Sequence, residues 1–219
     1  MKNRTLSRGT RQGRPAGTPG AFATGETAVA RRSAAQAWGT ARNVFLVLFG
    51  SVLIAVGAQA AVWLPGSLVP VTGQTFVVLL LGALLGPRLG AAAVAAYLLE
   101  GAAGLPVFSG GGAGPAWLAG PTGGYLLGFV VAAWLTGRLI ERGWDRTHAR
   151  TAAVLALGAA VLLLLGAAWL ALFVGPARAL ALGVVPFLPG EAWKVAAATA
   201  LLPAGRKMLG AQGRHVHTG

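Results

Sequence analysis

Glu191 and Lys194 stand inside "VVPFLPGEAWKVAAATALL" (184–202), a stretch that is otherwise apolar, in a chain with only five acidic residues. Pro189 and Gly190 can open a helix, since proline fits the first helical turn. Glu191 and Lys194 are then i and i+3, on one face of that first turn. Two readings compete. In one, they form an intrahelical ion pair near the membrane interface, worth about 0.3–0.5 kcal/mol. In the other, they face the bundle interior and meet a ligand, because a charge at bilayer depth costs ~2.5–3.5 kcal/mol and tends to face a cavity. A helix N-terminus also favours anions. In the second reading the acid accepts from ligand N–H groups and the lysine binds a carboxylate or carbonyl. Such a pair suits a small molecule carrying both N–H donors and an acceptor.

Other chemistry is poorly provided for. The histidines are His148, in a basic loop, and His215 and His217, in the tail; the single aspartate, Asp145, shares the loop of His148. None sits in an apolar run, so an intramembrane protease lacks its Ser–His or paired-Asp machinery. "SGGGAG" (109–114) is not followed by Gly-Lys-Ser/Thr, so it is no P-loop. Cysteine is absent, and no set of metal ligands is spaced for zinc or iron. The sequence therefore implies no enzyme, no metal and no resident cofactor.

The elements that must position the pair are membrane spans. Hydrophobic residues make up 55% of the chain and charged residues 11%, with a mean hydropathy of +0.67, where soluble domains carry about 25% charged residues. A span needs about 20 apolar residues to cross ~30 Å of hydrocarbon. Residues 44–63 fill one. The break "LPGSLVPVTG" follows, with Pro65, Gly66, Pro70 and Gly73 stopping the helix. Residues 74–86 form a short second span, "GPRLG" (86–90) a tight turn, and 89–104 a third. Residues 105–124 are too rich in Gly and Pro for helix. Spans four to six cover 122–140, 151–173 and about 189–205, with a small helix over 175–183 before the last. The expected fold is thus all-α, a six-span membrane domain over 41–207. A basic arm without regular structure (1–40) precedes it, and a tail (208–219) follows.

The net charge of +13 first suggests nucleic acid, but its placement argues against it. Sixteen of the eighteen basic residues fall in the arm, the 2–3 turn, the 4–5 loop and the tail, all on one side of a six-span chain. The positive-inside rule then puts both termini in the cytoplasm. The Arg-rich arm reads as a solvated tail at a membrane surface, with a mitochondrial-type presequence as the alternative. Loops 64–73, 105–124 and 174–190 lie on the outer side. Irregular backbone at membrane depth is tolerated only where protein or a cavity covers it, so these loops read as walls and lid of an outward-facing pocket. Glu100, at the outer end of span three, reads as snorkelling to the interface rather than lining that pocket.

"VPVTGQTFVVLLLGALLGPRLGA", "GLPVFSGGGAGPAWLAGPTGGYLLGF" and "FLPGEAWK" resemble the BioY family, the biotin-specific S components of energy-coupling factor transporters. The resemblance covers about 41–207, in the order of the six spans. It implies capture of biotin from outside at a bacterial cell membrane, with inward movement driven by a transmembrane T component and two ATPase subunits. Carried over residue by residue, the family's acid-x-x-Lys falls on Glu191 and Lys194, with Glu in place of the usual Asp. Its Gln before span two falls on Gln74, and the aromatic after "PTGG" on Tyr125, just past Thr122. Some relatives have a ligand-contacting Asn in the glycine-rich outer loop; here that place holds Gly112. Phe108, Trp117 and Tyr125 are either ring-packing aromatics or an outer aromatic belt. Biotin suits such a site, with two ureido N–H donors, a carbonyl, an apolar bicycle and a carboxylate. Two other readings remain: an S component for another vitamin, and a membrane scaffold that transports nothing.

The family presents small residues of span one to the T component, which points to Ser51 and Ala55 in "SVLIAVGAQAA" as a docking face. Small residues four apart let helices approach closely in lipid. The alternative is that they pack inside the bundle.

Overall fold

A computed structural model describes residues 20–63 and 68–214, with side chains over 36–63, 68–208 and 210. The arm 1–19, the break at Pro65 and Gly66, and His215 and His217 lie outside the described residues. The chain is helical nearly throughout. Helix α1 runs Gly20–Gln59, and the chain divides into two compact units, Met1–Ala41 and Arg42–Gly219. The strands β1 (Ala61–Val62) and β2 (Val71–Thr72) pair antiparallel and close the first outer loop, a pairing too short to carry a sequence signal. Then follow α2 (Gln74–Ala102), α3 (Pro115–Ala119), α4 (Gly123–Glu141), α5 (His148–Val174), α6 (Pro176–Gly183) and α7 (Leu188–Arg214).

Helix α2 is a hairpin. Gly86 has φ 80° and ψ 176°, a region essentially closed to residues with a Cβ, and Pro87 follows. Beyond it the chain runs back along itself. Gln74 Nε2 donates to Tyr97 Oη at 2.7 Å, although 23 residues of straight helix would hold them ~35 Å apart. A Cβ on Gly90 would stand 2.8 Å from Gly82 Cα. The expected turn at 86–90 is thus present, between arms of residues 74–85 and 87–102. We expect Gly86→Ala to destabilise the protein by about 1–3 kcal/mol, the cost of a residue forced into such a conformation. Thermal melts in detergent measure this, and an unchanged melting temperature would mean the turn relaxes freely.

Among the described residues, five segments are long and apolar enough to cross a membrane: Gln36–Gln59, Gln74–Ala102, Gly123–Glu141, His148–Val174 and Pro176–Met208. The second is the hairpin, and the last contains the break at 184–187 between α6 and α7. Local chemistry sets the boundaries. Thr147 caps α5 by accepting from the Arg150 N–H at 3.2 Å. Gly175, at φ 82°, ends α5, and Pro176 opens α6 in its first turn. The loop expected to hold no helix contains α3, because Pro115 sits where a missing N–H does no harm and Gly120 stops the helix after one turn.

The hairpin packs most extensively on α4, α4 on α5, and α7 on both α2 and α5. Small residues permit this. A Cβ on Gly82 would overlap the backbone of Ala133, and Ala132 and Ala133 are fully buried. Around that seam Val78, Leu79, Val94, Tyr97, Leu155 and Leu162 form the centre of the core.

Candidate functional site

At one end of the bundle lie the hairpin turn, the α4–α5 connection and the C-terminal part of α7. A Cβ on Gly86 would stand 3.0 Å from Glu141 Oε1, and Arg206 is ion-paired with Asp145. At the other end the β1–β2 loop, the glycine-rich segment, the start of α4 and the start of α7 surround a small cavity of about 40 Å³. Gln74, Phe108, Trp117, Thr122, Tyr125 and Lys194 all line it. Their closeness arises because the hairpin, the 105–122 segment and α7 all begin or end at that level.

Lys194 Nζ donates to Glu191 Oε1 at 2.6 Å, and the two side chains are 10% and 6% exposed. They therefore form the i, i+3 pair, but buried rather than at a solvated interface. Glu191 lies in the first turn of α7, where the helix dipole favours a carboxylate. Its Oε1 is taken by the lysine, while its Oε2 is buried with no hydrogen-bond partner among the described residues. Two charges held out of water are stable only when paired well, and here the pairing satisfies one carboxylate oxygen of two.

The aromatic residues fall into two groups. Tyr97 meets Phe108 edge-on at 5.5 Å between centroids, Phe108 lies tilted over Trp117 at 6.2 Å, and Tyr125 stacks on Phe187 at 5.9 Å. Phe108 is 1% exposed and so is a packed interior residue, not part of a surface belt. Tyr125 Oη donates to the Gly183 carbonyl at 2.7 Å, tying α4 to the end of α6. Gln74 is held at both ends of its amide: Nε2 donates to Tyr97, and Oε1 accepts from Thr72 Oγ1 at 3.1 Å, which leaves one N–H free to donate. Thr122 Oγ1 donates to the Trp117 carbonyl at 3.3 Å. Gly112 does not line the cavity. A Cβ there would overlap the indole of Trp117, so this glycine makes room for that ring.

Several lining residues are absent from the sequence reading: Thr72, Thr75 and Ser109 at the mouth, Leu126 and Phe129 on α4, Leu162 and Leu163 on α5, and Phe187. Thr122, Tyr125, Leu126 and Phe129 fall at i, i+3, i+4 and i+7, a helical stripe that does extend from the expected residues. Leu162 and Leu163 lie in an unbroken apolar run with no periodicity to single them out.

Ser51 and Glu100 meet inside the bundle. Ser51 is fully buried, and its hydroxyl lies 2.8 Å from both Glu100 Oε1 and the Leu48 carbonyl. Its side chain is an internal link between α1 and the hairpin, the internal-packing alternative weighed for this residue, while Ala55 is half-buried. Glu100 turns to α1 rather than out to the interface. The exposed stripe of α1 is Phe45, Phe49, Val52 and Val56.

A bundle of long apolar helices defines a multi-pass membrane protein. The chain belongs to the BioY family, whose sequence model matches residues 28–211. It is 41% identical to the "Probable biotin transporter BioY" of Pyrococcus horikoshii over 76% of this chain and 96% of that one. It is 37% identical to the biotin transporter BioY of Rhizobium etli over 72% of this chain and 89% of that one. Among solved structures it resembles the S component for biotin from an ECF-type ABC transporter, with a TM-score of 0.69 and 26% identity over 77% of this chain and 93% of that one.

Proposed function

We propose that this chain captures biotin at the outer face of a bacterial cell membrane, as the substrate-binding subunit of a transporter driven by a T component and ATPase subunits. The observation that carries the reading is Lys194 in the lining of an aromatic, largely apolar cavity, held by Glu191 just behind it, whose Oε2 has no hydrogen-bond partner among the described residues. Biotin offers the complementary set: ureido N–H groups for the carboxylate, a carbonyl or carboxylate for the ammonium, and an apolar bicycle for Phe108, Trp117 and Tyr125. The names of the relatives support the same ligand.

The basic residues support the orientation. Arg88, Arg138, Arg142, Arg146, Arg150, Arg206 and Lys207 belong to the end away from the cavity, which the positive-inside rule assigns to the cytoplasm along with both termini. The hairpin arms, each taken as one crossing, make six spans. Gln74, Thr122, Glu191 and Lys194 are the polar ligand-binding residues in this reading.

The test is equilibrium binding of labelled biotin to the purified chain in detergent, beside labelled thiamine and riboflavin. Saturable one-site biotin binding, with no competition from a hundredfold excess (roughly 2.7 kcal/mol of discrimination) of either other vitamin, is expected. Binding of another vitamin in preference to biotin would overturn the ligand assignment, and binding of none would overturn the capture function.

A further inference from the structure

We propose that a groove beside the α4–α5 connection, at the end away from the cavity, binds the headgroup and first methylenes of an anionic phospholipid. The groove has a volume of about 730 Å³ and is bordered by Leu139, Arg142, Trp144, Arg146, Arg150 and Leu157. The two acids of this connection are already committed. Glu141 pairs with Arg138 at 3.5 Å, and Asp145 pairs with Arg206. Arg142, Arg146 and Arg150 are exposed and make no ion pair among the described residues. Three guanidiniums therefore converge on one groove with no carboxylate left to neutralise them. Guanidinium groups bind phosphate in bidentate fashion, and basic pockets between membrane helices on this side suit anionic headgroups.

The rest of the lining selects a lipid over a free anion. Leu139 and Val154 are buried in the floor, and Leu157, 45% exposed, continues the apolar strip about two turns further along α5 from Arg150. A free phosphate would need only the arginines. A phospholipid places its phosphate at the arginines and runs its chain along Leu139, Val154 and Leu157. Trp144, 55% exposed, stands beside the arginines, where an indole belongs at headgroup level.

The experiment is native mass spectrometry of the full chain in detergent with phosphatidylglycerol, phosphatidylcholine of the same acyl chains, or inorganic phosphate. Phosphatidylglycerol is expected to be retained in preference to phosphatidylcholine. The triple variant Arg142→Gln, Arg146→Gln, Arg150→Gln should weaken that retention by about a hundredfold, since each surface guanidinium contributes severalfold. The double variant Arg88→Gln, Lys207→Gln removes exposed charge outside the groove and should change it less than threefold (on the order of the variation from general surface charge). Leu157→Gln should weaken retention of phosphatidylglycerol while leaving phosphate adducts unchanged. Equal loss in the double and triple variants, or displacement of the lipid by equimolar inorganic phosphate, overturns the proposal. So does displacement by equimolar soluble polyglutamate, which would mark the groove as a seat for an acidic protein segment. Melting temperatures within about 2 °C of the parent, too small for a loss of fold, show that the variants remain folded.

Discussion

Alanine in place of Lys194 is expected to weaken biotin binding by about 1.5–3 kcal/mol, tenfold or more, the range for a hydrogen bond to a charged group. It should also lower the melting temperature, because it strands the Glu191 carboxylate, only 5% exposed, without its cation. Breaking a buried pair by removing one partner typically costs about 3–5 kcal/mol. Glu191→Ala should do the same from the other side. The double variant Glu191→Ala, Lys194→Ala separates the two roles. It leaves no unpaired charge, so its stability should recover above that of either single variant, while biotin affinity stays low. Thermal melts and equilibrium binding on the same preparations measure both. If Lys194→Ala binds biotin within twofold of the parent, the pair is a structural clip only.

Tryptophan at Ser51 is expected to abolish folding or biotin binding, not merely association with a partner. The residue is fully buried and its hydroxyl contacts Glu100 at 2.8 Å. An indole there must push α1 off the hairpin and deprive a carboxylate of its donor. Overpacking costs about 1–3 kcal/mol, and the lost charged hydrogen bond about 1.5–3 more. Val56→Trp is the companion. Val56 is 63% exposed, so this variant should fold and bind biotin normally, and it should lose complex formation if the exposed stripe of α1 docks a T component. Folded yield, biotin binding and co-purification with the T component report each step. A Ser51→Trp protein that folds and binds biotin fully would return Ser51 to an accessible face.

Much of this was legible in the sequence because glycine and proline act through the backbone. Gly86-Pro87 marked the hairpin turn, Gly175-Pro176 the α5–α6 boundary, and Pro189-Gly190 the start of the turn that carries Glu191 and Lys194. The cavity residues beside those marks were legible for the same reason. What could not be read was which way a residue faces on a helix that is apolar all round. In "SVLIAVGAQAA" neither face is polar, so Ser51 looked as suited to a partner as to the core, and only its contact with Glu100, 49 positions away, decides. Gly112 shows another limit. A residue type chosen for the room it leaves, here for Trp117, looks in sequence like a lost contact.

The fold-back at Gly86 also shapes the lipid around it. Its arms, residues 74–85 and 87–102, are only ~18 Å and ~24 Å long at 1.5 Å per residue, against ~30 Å of hydrocarbon. Leu99 is 70% exposed on the longer arm, and Leu84 and Leu89 are half-buried near the turn, so bilayer chains meet the hairpin directly. With each arm taken as one crossing, as in the six-span proposal, the two leaflets draw together there, at a cost of fractions of a kcal/mol per Å of hydrophobic mismatch. The protein thus carries a dimple of thinned membrane on one flank. A neighbour that sits in the same dimple reduces the total area of deformed bilayer, so the membrane itself draws thin-walled companions to this side before any side chains touch.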